Sequence, residues 1–138
     1  GIPSGPPTSA ITKLMSTNEG KFTLLSVTAD EAAMMDGGRN LWTPYTIAAG
    51  TYPGQTADVT TIAQPNFLAV NADVDENHVY LLTKTIYENL AFLQAIHPAT
   101  KAMSVEAAMA GLPVPLHPGA ARYYQEMGLD VSERLMAK

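Results

Sequence analysis

The side chains most able to move protons near neutral pH are His78, His97 and His117, spaced 19 and 20 residues apart. That spacing matches no compact metal-binding pattern, and neither an HExxH nor a paired His-x-His is present. His78 falls on the polar side of a predicted helix start, while His97 and His117 each precede a proline. Those positions suit structural hydrogen bonds at element boundaries better than catalysis. No cysteine is present, which removes disulfides, thiol nucleophiles and thiolate-ligated metals. Glu31, Asp36, Asp58, Asp73, Asp75, Glu76 and Asp130 lie mostly at turns and helix starts, where the helix dipole already accounts for a negative charge. Nothing marks two of them as a convergent acid–base pair. Nucleophile-elbow, P-loop and dinucleotide-binding glycine patterns are all absent. The expectation is a protein that is not an enzyme, with no catalytic residue, no metal and no cofactor.

Two polar, glycine-bearing loops remain. One is Gly1-Ile2-Pro3-Ser4-Gly5 and the other is Gly50-Thr51-Tyr52-Pro53-Gly54. Glycine lets backbone N–H groups come close to a ligand, and a loop that opens a helix offers free N–H donors to a carboxylate. Tyr52 would add an aromatic wall and a hydroxyl. From spacing alone both loops read as ordinary turns, which are common. The ligand-facing reading stays open beside that one.

The elements that must carry these loops read as an alternation of strands and helices, which points to an α/β fold class. Thr8 or Ser9 caps a helix to about Ser16, with Ile11, Leu14 and Met15 on one face. Residues 22–27, FTLLSV, read as a strand buried on both faces, and Thr28 or Asp30 caps a short helix ending at Gly37-Gly38. Residues 39–45 read as irregular. The stretch 47–70 reads as the organising crossover, with strands at 59–63 and 67–70 interrupted at Pro65. Asp73-x-x-Glu76 has the form of a capping box for one long helix. Val79, Leu82, Ile86, Leu90 and Leu93 form its apolar stripe, and Pro98 ends it near Ile96. Ser104 caps a short helix closed by Gly111, and Pro118 opens another that Gly128 stops.

A net charge of −5, with eight scattered Lys and Arg, argues against a nucleic-acid or anionic-membrane surface. No apolar run approaches the roughly 18 residues a membrane span requires. The opening GIPSGPPT has no initiator Met, basic region or apolar region, so it reads as a loop within a longer or processed chain.

The Gly50-Thr51-Tyr52-Pro53-Gly54-Gln55 turn, the Leu116-His117-Pro118-Gly119-Ala120 run, Arg122-Tyr123-Tyr124 and Glu126-x-Gly128 together resemble the solute receptor of tripartite ATP-independent periplasmic (TRAP) transporters, TAXI subfamily. The resemblance covers essentially the whole chain and only the later part of such a receptor. It implies a two-lobe α/β fold of the type II periplasmic-binding-protein kind. Residues 1–46 would then be the end of the second lobe and 47–70 the hinge strands. Residues 71–138 would be a helical part packing on the first lobe, whose amino-terminal portion is absent. It further implies a periplasmic location and capture of a small anionic solute of the glutamate, glutamine or dicarboxylate class, passed to the TRAP membrane permease. Gly1, Ile2, Pro3, Ser4, Thr51 and Tyr52 become the expected ligand-facing residues, and residues 117–124 read as architecture. Alone, the fragment is expected to dimerise or swap elements. A free-standing α/β interaction module and a small hydrolase or transferase using His97 or His117 are the competing readings.

Overall fold

A computed structural model describes residues 5–18, 20–96 and 98–137. The chain forms two compact units, Gly1–Gln64 and Pro65–Lys138, so the boundary falls at Pro65. The architecture is mixed helix and strand with a small two-stranded sheet.

In the first unit α1 spans Ser9–Thr17 with Thr8 in extended geometry at its cap, and it buries Met15. Helix α2, Ala29–Asp36, begins with a complete capping box. The Thr28 hydroxyl accepts the Glu31 N–H at 3.3 Å, and the Glu31 carboxylate takes the Thr28 N–H at 2.8 Å. Gly37, at φ 64°, ends α2 in the left-handed conformation that glycine adopts without penalty. Strands β1, Thr43–Ile47, and β2, Val59–Ala63, pair antiparallel with Thr43 opposite Ala63 and Ile47 opposite Val59.

Residues 22–27 are not a strand. Their single ladder contact is the Val27 N–H donating to the Thr60 carbonyl at 3.0 Å, and Leu25 stays 77% exposed. β propensity cannot form a strand without a row of partners, and the edge of β2 supplies only one. Residues 39–45 are less irregular than expected, because β1 starts at Thr43. Pro44, lacking an N–H, sits opposite Ile62 without ending the strand.

In the second unit α3 spans Glu76–Glu88 and α5 spans Pro118–Glu126, and the two pack together. An added Cβ on Gly119 would overlap the Glu76 carbonyl and stand 2.7 Å from the Tyr80 nitrogen, so only glycine lets the helices approach this closely. The cap of α3 is Asp75, whose Oδ1 accepts from the N–H groups of Asn77 at 2.9 Å and His78 at 3.2 Å. The expected box between Asp73 and Glu76 does not form, since Asp75 is the cap and Glu76 the first helical residue, whose carboxylate accepts from Arg122 at 2.7 Å.

The long helix expected to Ile96 breaks at Asn89, whose side-chain amide donates to the Thr85 carbonyl at 2.8 Å. That bond competes with continuation of the backbone ladder. Helix α4, Leu90–Ile96, follows and buries none of its side chains. The expected stripe is therefore only partly inside: Val79 is buried, yet Leu82 is 43% exposed. Thr83 shares the inner face instead, its hydroxyl bonded to the Val79 carbonyl at 2.8 Å. Residues 67–70 are extended and exposed and form no strand. Residues 105–110 form successive turns in place of a helix. The carboxyl end is fastened where Leu116 N–H meets the Leu135 carbonyl at 2.8 Å and Arg134 donates to the Leu112 carbonyl at 2.8 Å.

Candidate functional site

The 47–58 turn is braced from within. Gly50 N–H donates to the Gln55 carbonyl at 2.9 Å, and the Thr51 hydroxyl donates to the Ala48 carbonyl at 2.6 Å. The Gln55 amide reaches the carbonyls of Ile47 and Ala57, at 3.0 and 3.1 Å. Asp58 accepts the Ala49 N–H at 2.8 Å. Positive φ at Gly50 and Gly54, 77° each, is what allows the chain to turn so tightly.

The turn holds Thr51 half-buried at its rim and Tyr52 inside, 3% exposed. The Tyr52 hydroxyl accepts the backbone N–H of Thr8 at 3.1 Å, across 44 residues of sequence. Thr8 leads into α1 and is bonded through its own hydroxyl to the Gly5 carbonyl at 3.2 Å. Two of the expected ligand-facing positions, Thr51 and Tyr52, therefore stand beside the segment entering α1. Gly1, Ile2, Pro3 and Ser4 lie outside the described residues, as does His97.

An apolar depression of about 420 Å³ elsewhere in this unit is lined by Leu25, Val27, Met34 and Met35, with Ser26 and Glu31. Glu31 is already committed to the α2 cap, and its bond to the Thr28 N–H holds its carboxyl below the ordinary range.

Among the described residues, the second unit carries no loop braced in this way. Its most organised polar feature is the contact of α3 with α5. Arg122 bonds Glu76 and Asn77 and lies 4.1 Å over the centre of the Tyr80 ring, while Tyr80 donates to Glu126 at 2.5 Å. Tyr87 stacks on Tyr123 at 5.8 Å and meets Tyr124 edge-on. The bond to Glu126 pushes the Tyr80 phenol up, and burial does the same for Tyr123 and Tyr124. These phenols stay neutral and serve as packing with polar ends.

His117 caps α5. Its Nδ1 accepts the Gly119 N–H at 3.2 Å, and its Nε2 lies 3.0 Å from the Val74 carbonyl. The geometry calls for a proton on Nε2 and leaves neither nitrogen free to take one from a substrate. His78 is exposed, with Asp75 at 3.8 Å. No cluster of metal-ligating side chains occurs among the described residues.

Sequence reasoning missed the four-tyrosine cluster, although Tyr80 and Tyr87 stand seven apart on one predicted helix and so share a face. The Tyr52–Thr8 bond had no comparable signal. The model of the NMT1-like family, whose members are periplasmic binding proteins rather than enzymes, matches residues 1–128. With nearly the whole chain matched, this protein belongs to the NMT1-like family of periplasmic solute-binding proteins.

Proposed function

We propose that the protein captures a small anionic solute of the glutamate, glutamine or dicarboxylate class in the periplasm and hands it to the permease subunits of a TRAP transporter of the TAXI type. The observation that carries this reading is the bond between the turn at Tyr52 and the start of α1. The turn bearing Thr51 and Tyr52 is fastened to Thr8, four residues on in sequence from Ser4, the last of the residues Gly1, Ile2, Pro3 and Ser4 that the same reading assigns to the solute. A solute carboxylate would be met by backbone N–H groups and by the Thr51 hydroxyl, turned from the Ala48 carbonyl to donate to it. Closure of two lobes about the 47–70 crossover would then shield it, with no bond made or broken in the solute.

The test is a thermal-shift screen of amino acids and dicarboxylates on the full-length protein, followed by calorimetric titration. Binding of a glutamate-like or dicarboxylate anion is expected. Tyr52→Ala should weaken it by about 1–3 kcal/mol, the range for a lost buried hydrogen bond and ring packing. Failure of every anion in the screen to bind refutes the reading.

A further inference from the structure

We infer that Tyr52 serves the solute site as a positioning residue, holding the entry to α1 through the Thr8 N–H and leaving solute contact to other groups. This inference rests on the solute-binding reading above and assigns Tyr52 a different part in it.

The ring is buried, 3% exposed, so it cannot form the open wall of a site. The phenol oxygen accepts the Thr8 N–H at 3.1 Å. That N–H precedes the first turn of α1 and belongs to no helical bond, and its acceptor among the described residues is the Tyr52 hydroxyl. The Thr8 side chain makes no cap bond to the start of α1, and its hydroxyl donates to the Gly5 carbonyl. Its carbonyl, meanwhile, accepts both the Thr12 N–H at 2.9 Å and the Thr12 hydroxyl at 3.1 Å. Thr8 is thus held on three sides, by Gly5, by Thr12 and by Tyr52, and only the last bond comes from outside its own segment.

The other end of the tie is equally fixed. Tyr52 N–H lies 3.3 Å from Gln55 Oε1, and Gln55 is itself bonded to Ile47 and Ala57. A braced turn therefore transmits its position to the start of α1 through one hydrogen bond. Removing the hydroxyl alone should loosen that start while leaving the buried ring in place.

Tyr52→Phe in the full-length protein makes this testable with two readouts. The first is amide hydrogen exchange at Thr8 in the solute-free protein, expected to quicken by about tenfold. The second is calorimetric affinity for glutamate and for 2-oxoglutarate, expected to fall about tenfold for whichever binds the parent protein. Unaltered exchange at Thr8 overturns the tie. Faster exchange with unaltered affinity shows a purely structural bond and overturns the positioning role. A parent protein that binds neither anion refutes the solute reading for these two anions, and the exchange comparison then decides on the tie alone.

Discussion

Gly119 of α5 lies against the backbone of Glu76 in α3 so closely that a single added carbon would overlap the Glu76 carbonyl. Two effects of Gly119→Ala oppose each other. Alanine raises helix propensity by up to about 1 kcal/mol. Against that, the new methyl meets backbone atoms of α3, which cannot rotate away as a side chain would, and overpacking of this kind costs about 1–3 kcal/mol or more. The clash should win, with a net loss of about 2 kcal/mol in chemical denaturation. A variant as stable as the parent would show that α3 and α5 separate more easily than their packing indicates.

Thr28→Ala removes the hydroxyl that accepts the Glu31 N–H and that also donates to the Glu31 carboxylate at 2.8 Å, while the Thr28 N–H keeps its own bond to that carboxylate. A loss of about 1 kcal/mol is expected, as for other threonine caps. Thr28→Ser keeps the acceptor and should recover most of it. Urea midpoints of the three proteins measured side by side decide the matter.

Asp36 makes the first unit sensitive to acid. It is buried, and its carboxylate accepts N–H groups from Leu41 at 2.7 Å, Gly38 at 2.8 Å and Arg39 at 3.1 Å. The Leu41 bond above all, opposed by burial, holds its carboxyl below the ordinary value of 3.8. A group whose pKa falls on folding binds more protons when unfolded, so its stabilisation is complete above the unfolded pKa. That contribution is lost as pH falls through the lower folded value. Glu31, lowered from 4.5 by its bonds to Thr28, acts in the same direction. Stability should therefore be flat with respect to these two groups above about pH 5 and decline below it. In Asp36→Asn an amide NH₂ faces a backbone donor, so the variant should be less stable at pH 7 and show a smaller acid dependence. An acid profile identical to the parent's would exclude this role.

Helix α4 carries Phe92, 67% exposed, and Ile96, 63% exposed, and Leu81 on α3 is 54% exposed. Apolar surface left in water on this scale favours association. The 138-residue chain should therefore self-associate with rising concentration in sedimentation experiments, and Phe92→Lys together with Ile96→Lys should shift it toward monomer. A parent chain that sediments as a monomer at every concentration would count against it.

What could be read from the chain itself followed from local chemistry. Thr8, Thr28 and Gly37 mark the ends of α1 and α2, while Pro118 and Gly128 bound the region of α5, because caps and stop signals act within one turn of backbone. The 59–63 strand was equally legible as a run of β-formers. The turn at Gly50 and Gly54 needed only the glycines that tolerate positive φ.

Tertiary structure alone decided the rest, since each case turns on a partner distant in sequence. Residues 22–27 have the composition of a strand but find one bond on β2. The Glu76 carboxylate pairs with Arg122, 46 residues further on, where local spacing suggests a partner at Asp73. Tyr52, whose sequence neighbours suggest an exposed turn tip, is drawn inward by an N–H 44 residues earlier. Local propensity is weaker than a satisfied buried hydrogen bond, so where the two compete the long-range partner determines where the side chain points.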